Sequence, residues 1–361
     1  MFYHIFYPLS SEYSVLNVFR YITFRSAYAG VTALALCLLM APVMIRLLQK
    51  LQIGEKIRED GPQHHLAKSG TPTMGGLLIL FSFLLSTLLW GNLSNPYIWL
   101  IIYVAVTFAM IGFYDDYLKL RKGGGLSVKG KLLLQTLLSL GVAVFLTQFD
   151  PDRAAYATHL HVPFFKDFTP DLGWGYMAFI VLIIVGTSNA VNLTDGLDGL
   201  AIGPIIIAIC TYTAIVYVSG HFKFAEYLNI QHIKAAGEVT VLTAAVVGAS
   251  LGFLWFNTYP AQLFMGDVGS LSLGAVLGTV AVIAKQELLL LLVGGIFVIE
   301  ALSVIIQVAY FRYTKGKRFF KMAPLHHHFE QLGWPEPKVI VRFWIVALVL
   351  AMISLSTLKL R

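Results

Sequence analysis

The sequence predicts an all-α, polytopic integral membrane protein with about ten transmembrane helices. Three observations carry that reading. Hydrophobic residues make up 57% of the 361 and charged residues only 12%, about half the charge an ordinary soluble domain carries. The mean hydropathy is +0.74. Uninterrupted apolar runs of about twenty residues recur, whereas barrel strands would alternate over about ten. A soluble enzyme, a disordered chain and a secreted disulfide scaffold are excluded. Cys37 and Cys210 both lie in apolar runs and read as small buried hydrophobes.

The runs fall at 27–48, 73–90, 97–114, 132–149, 174–191, 200–219, 239–256, 271–284, 288–310 and 340–358. The first is too long for a signal-peptide core, and no basic stretch precedes it, so no cleavable leader is expected. Pro72 opens the second, the pair Asp115–Asp116 closes the third, and Asn189 to Leu200 links the fifth to the sixth. Asn257 to Ser270 links the seventh to the eighth, which is short. The ninth carries Gly294, Gly295 and a lone acid, Glu300, expected to stabilise a helix break there rather than to react. Segment 150–173 mixes proline, aromatic and β-branched residues and is expected to form a small hairpin. No internal repeat is visible, so the chain reads as one transmembrane catalytic domain, 1–361.

Of the 26 lysines and arginines, 17 fall in one alternate set of loops and 9 in the other, which includes both termini. Basic loops stay cytoplasmic. Both termini are therefore expected in the periplasm and loops 49–72, 115–131, 192–199, 257–270 and 311–339 in the cytoplasm. The net charge of +7 is then mostly an orientation signal, and no nucleic-acid partner is expected.

Of the 19 acids, five lie at the ends of the third, fifth and seventh spans, and so at one membrane face: Asp115, Asp116, Asp195, Asp198 and Asp267. Adjacent carboxylates such as Asp115 and Asp116 repel unless a cation sits nearby. They read either as a solvated helix end or as a site for a divalent cation and a phosphate. Asn189, Asn192 and Asp195 are spaced by three, which on a helix gives one face. Amides inside an apolar boundary need partners, so a ligand is favoured there over a self-capped loop. Around Gly266-Asp267-Val268-Gly269-Ser270, glycines admit close backbone approach and a helix start attracts phosphate. Asp267 is placed to carry a metal there and Phe264 to stack on a base; the alternative is an ordinary helix cap. His326, His327 and His328 point to different faces, so a phosphate or substrate contact is favoured over one zinc site. Lys68, Thr71 and Thr73 offer a cation and two hydroxyls at the second span, or simply a proline-started helix.

These five segments together resemble the polyprenyl-phosphate N-acetylhexosamine-1-phosphate transferase superfamily. Within it the chain is most similar to the bacterial phospho-N-acetylmuramoyl-pentapeptide-transferases, over essentially its whole length, and Pro324 to Glu330 points to that branch. The resemblance implies transfer of phospho-N-acetylmuramoyl-pentapeptide from its UDP-linked donor to undecaprenyl phosphate in the bacterial inner membrane. Lipid I and UMP are the products, in the first membrane step of peptidoglycan synthesis. It implies Mg²⁺ and a homodimer. On the same basis Asp267 is the metal ligand, with Asp115 and Asp116 able to share it and acting on the lipid phosphate. Lys68, Asp198 and Phe264 would hold uridine, with Asn257 near. Asn192, Asp195 and Thr73 would line the sugar or diphosphate region. His326, His327 and His328, with Gln307, would touch phosphate or the muramoyl-peptide. A sister transferase using UDP-N-acetylglucosamine and, more remotely, a transporter are the rival expectations. Single displacement is preferred to a covalent intermediate, because the lipid phosphate is already a capable nucleophile.

Overall fold

The structure, a computed structural model, describes residues 1–51, 54, 70–150, 156–165 and 168–359. Lys68 lies outside the described residues. The chain is built from helices, with no strand among the described residues. In order they are α1 (Phe2–Phe6), α2 (Ile22–Lys50), α3 (Gly76–Trp90), α4 (Pro96–Lys122), α5 (Val128–Val144), α6 (Gly175–Thr194) and α7 (Ile202–Ser219). They continue with α8 (Phe222–Leu228), α9 (Ala236–Asn257), α10 (Gly266–Ile283), α11 (Leu290–Val293), α12 (Gly295–Tyr313), α13 (Leu325–Gln331) and α14 (Glu336–Thr357). Nine of the described helices are long and apolar enough to cross a membrane, and α3, with 15 residues, is a shorter tenth. Each expected span maps onto one of these, the ninth onto the broken pair α11 and α12. The chain is a multi-pass membrane protein.

Several helices run past the expected spans, and two of these extensions shape the site. Helix α4 does not stop before Asp115 but runs two turns further, to Lys122. Lys119 lies three and four residues after the two acids and pairs with both, which sustains the helix. Gly123, at φ +70°, then ends it in the left-handed conformation. Helix α10 starts at Gly266, five residues before the apolar run, so Asp267 sits in its first turn, where a carboxylate is favoured by the helix dipole.

Helix α10 is the hub: 89% of its apolar window is buried, against 22% for α2. It packs against α3, α4, α6 and α7. With no hydrophobic drive between helices inside lipid, close approach through small residues supplies the packing. Gly112 on α4 faces the Asp267 carbonyl so closely that a side chain there would overlap it. Gly76 on α3 meets Gly269 on α10 in the same way. On the other flank, α2 presents Ala29, Ala33, Cys37 and Ala41 to α9, where Gly248 and Gly252 receive it.

The end of the bundle opposite the acids is pinned by buried polar groups. Arg25 forms a two-pronged ion pair with Glu238, one prong at 2.9 Å, and Glu238 also accepts from Asn92 N at 2.8 Å. Residues 158–160 pair antiparallel with 170–172, Leu160 N donating to Pro170 O and Leu172 N to Thr158 O, which are the described ends of the segment expected to form a hairpin. Buried Lys285, between α10 and α11, donates to the carbonyls of Ala157 and His159 at 2.7 and 3.0 Å. The break in the ninth span falls at Gly294, whose backbone is non-helical. Glu300 does not serve that break: its carboxylate is bonded to His326 on α13.

Candidate active site

Because the small residues of α3, α4 and α10 let these helices converge, carboxylates more than 150 positions apart in the chain meet at one end of the bundle. Ligand oxygens of Asp115, Asp116 and Asp267 all lie within 4.8 Å of one another. Asp115 and Asp116 are 3% and 6% exposed. Two buried carboxylates and a third, partly buried, at that spacing need cations. Lys119 Nζ lies 2.8 Å from Asp115 Oδ2, 3.3 Å from Asp116 Oδ1 and 2.9 Å from Asp267 Oδ2. Lys131 Nζ, from the first turn of α5, lies 2.8 Å from the same Asp267 oxygen and 3.6 Å from Asp115 Oδ2. Two ammonium groups against three carboxylates leave one net negative charge, and all the acid donors are hard oxygens. The set fits a hard divalent cation.

Backbone and amide donors fix the carboxylates. Leu126 N donates to Asp115 Oδ1, and Val268 N to Asp116 Oδ2 at 3.4 Å. Asn192 Nδ2 donates to Asp267 Oδ1 at 2.8 Å and to Ser270 Oγ at 2.9 Å. Asn189, one turn earlier, donates to Gln135 Oε1 at 2.7 Å and ties α6 to α5 instead. Gly266 has φ +72°, and a side chain there would press within 2.7 Å of Asp116 Oδ2. A left-handed backbone and a crowded carboxylate together require glycine at this position.

A second group adjoins the first. The 72–76 segment pairs with 264–265: Phe264 N donates to Pro72 O at 2.8 Å, Gly75 N to Phe264 O at 2.8 Å and Gly76 N to Met265 O at 2.9 Å. That ladder sets Thr73 beside Gly266 and leaves Phe264 half-buried. Asp198 is 2% exposed and accepts from Ala261 N at 2.9 Å, while its own N–H donates to Glu336 Oε1 at 3.0 Å. Asn257 accepts from Gly199 N at 3.0 Å and donates to Leu263 O at 2.9 Å. Trp344 Nε1 caps the turn through Gly199 O at 3.2 Å. Asp195 is half-buried at the end of α6.

The histidine segment forms α13, and its three rings take three different partners. His326 is fully buried, with Nδ1 3.0 Å from Glu300 Oε2. His327 Nδ1 is 2.7 Å from Glu330 Oε2, and His328 Nδ1 accepts from Lys321 N at 3.1 Å. Of the three, His326 is the ring that abuts Gly196 in the Asp195–Gly199 turn. Gln307 accepts from Phe319 N and Phe320 N and donates to Phe320 O, so it anchors the chain leading into α13.

Sequence reasoning missed Lys119, Lys131, Glu336 and Trp344. The spacing of Lys119 from Asp115 and Asp116 was a usable signal. Nothing local pointed to the other three.

The comparisons with known proteins agree with this geometry. The profile of glycosyl transferase family 4 matches residues 98–285, the stretch that contains all three clustered aspartates. The phospho-N-acetylmuramoyl-pentapeptide-transferase signature 1 matches residues 68–80. Curated proteins named phospho-N-acetylmuramoyl-pentapeptide-transferase align over the whole of both chains. That of Desulforapulum autotrophicum is 58% identical, that of Maridesulfovibrio salexigens 56% and that of Syntrophus aciditrophicus 54%. The chain belongs to the phospho-N-acetylmuramoyl-pentapeptide-transferase family. Within that family frame, the matched signature covers Thr73 and the glycines that seat α3 on α10. The aspartate cluster, the Asp195–Gly199 turn and the Phe264 segment all lie inside the glycosyl transferase match.

Proposed function

We propose that this protein transfers phospho-N-acetylmuramoyl-pentapeptide from its UDP-linked donor to undecaprenyl phosphate, yielding lipid I and UMP. The observation that carries the proposal is the meeting of Asp115, Asp116 and Asp267 at one bundle end in a chain whose full-length relatives bear that transferase's name. A lipid phosphate stays at a membrane face, and a soluble nucleotide sugar must come to it there. Acids at the ends of three spans are where the two can meet.

Asp267, with Asp115 and Asp116 beside it, would hold Mg²⁺. When bound, the ion supplies charge neutralisation for the leaving phosphate. The rest falls to the chain. Lys119 and Lys131 are already at carboxylate distance and supply positive charge at the acceptor position. Asp115 and Asp116 would orient the lipid phosphate and take any residual proton. A phosphate monoester is mostly dianionic at neutral pH, so a strong base is not needed. A lipid phosphate oxygen forms the new bond to phosphorus, the diphosphate bond breaks, and UMP leaves in a single displacement. Lys68, Asp198 and Phe264 would hold the uridine, with Asn257 bracing Gly199 and the segment that carries Phe264. Thr73, Asn192 and Asp195 would line the diphosphate and sugar, and His326, His327 and His328 the muramoyl-peptide side, with Gln307 holding the approach to α13. The excess of basic residues in the loops at the acid end supports a cytoplasmic site and periplasmic termini in the inner membrane. The exposed apolar faces of the outer helices leave room for a homodimer.

Purified protein given undecaprenyl phosphate and each of two nucleotide sugars tests the reading. UMP release from UDP-N-acetylmuramoyl-pentapeptide, and not from UDP-N-acetylglucosamine, is expected. Release only from the latter would place the chain in the sister activity, and release from neither would favour a transporter.

A further inference from the structure

Glu300 and His326 form a closed pair inside the bundle. Both are 0% exposed. Glu300 Oε1 accepts the His326 backbone N–H at 3.1 Å, and Glu300 Oε2 lies 3.0 Å from His326 Nδ1. The two contacts lock both the start of α13 and the rotation of the ring. With Nδ1 taken by a carboxylate, that nitrogen carries the proton, and the ring has one nitrogen left to offer. That nitrogen, Nε2, is buried and makes no hydrogen bond. A buried ring nitrogen without a partner is costly and calls for one. It abuts Gly196, where a Cβ would overlap Nε2 itself. Gly196 lies in the turn between Asp195 and Asp198, and Asp198 is braced from its other side by Glu336 on α14.

We propose that Glu300 is a positioning residue for the donor site: it holds His326 so that Nε2, and not Nδ1, meets a polar group of the nucleotide-sugar donor beside the Asp195–Gly199 turn. The proposal rests on the functional reading above, since it takes the nucleotide sugar as the ligand. It also gives Gly196 a role. Absence of a side chain there is what admits the ring to the turn.

The test uses the full-length protein in detergent, with donor and lipid acceptor varied separately and UMP release measured. Glu300→Gln keeps the shape, but with its carbonyl oxygen accepting the His326 N–H it turns an N–H donor toward Nδ1, so Nδ1 is no longer held protonated. The donor kcat/KM is expected to fall about tenfold or more, with the KM for undecaprenyl phosphate within about twofold of wild type. ¹⁵N-histidine spectra, with the His326 signal assigned by its loss in His326→Gln, are expected to show one Nδ1–H tautomer in wild type and a shift toward the Nε2–H tautomer in Glu300→Gln. Gly196→Ala, which displaces the ring and leaves Glu300 intact, is expected to reproduce the donor-side defect, and it serves if Glu300→Gln does not fold. Equal losses toward both substrates, or an unchanged tautomer in Glu300→Gln, would mean that the pair only packs α13 onto α12, and would overturn the proposal. If wild type releases no UMP from any nucleotide sugar, the functional reading fails. The ring signal then still decides whether Glu300 sets the tautomer.

Discussion

At the scale of single residues, the site is governed by a shortage of positive charge. Asp267 receives Lys119 and Lys131 on one oxygen and Asn192 on the other. Asp267→Asn keeps that shape and removes the charge. UMP release is expected to drop at least about 100-fold, with the thermal midpoint held near wild type in a melting assay. Lys131 is mostly buried, at 14% side-chain exposure. Lys131→Met leaves Asp267 with Lys119 alone among the two lysines. It is expected to destabilise the fold by about 1–3 kcal/mol in EDTA. Millimolar Mg²⁺ should restore much of that loss, because a ligand that binds only the folded state raises its stability. A melting midpoint in Lys131→Met that ignores Mg²⁺ would argue against a cation at these carboxylates.

At the scale of elements, helix contacts set the distances between the acids. Gly112 brings α4 onto the first turn of α10. Gly112→Leu wedges the two helices apart. It is expected to cost about 1–3 kcal/mol and to abolish turnover, read from a melting curve and a UMP assay on the same sample. Far from the site, Glu238→Gln leaves Arg25 buried without its charge partner. A loss of about 3–5 kcal/mol is expected, with turnover of the surviving folded fraction near normal. How much of this was legible in the sequence depends on the kind of contact. The spans were legible because lipid requires about twenty apolar residues each. The extension of α4 past Asp115 was not, because hydropathy stops at the acids while the Lys119 pairs carry the helix on. Lys131 and Glu336 were invisible for another reason. They reach the site across helix packing, and no local spacing encodes that. The three histidines were legible as a group, but only the fold separates His326, turned to Glu300, from His327 and His328.

At the scale of the whole molecule, the acids and the arginine–glutamate pair mark opposite ends. The basic loops predict which end faces the cytoplasm. Lys129, exposed beside the acids, and Lys223, exposed at the other end, make a clean pair of probes. A membrane-impermeant maleimide is expected to label Lys223→Cys in intact cells and Lys129→Cys only after permeabilisation; the reverse pattern would invert the topology. The central claim is that aspartates from α4 and α10 form one cation-dependent phosphoryl-transfer site. The most direct measurement is the rate of UMP formation from both substrates as Mg²⁺ is returned to EDTA-treated protein. Turnover absent without the ion, restored saturably in wild type and unrestored in Asp267→Asn, is the result this account predicts. Undiminished turnover in EDTA, or an Asp267→Asn protein that responds like wild type, would contradict it.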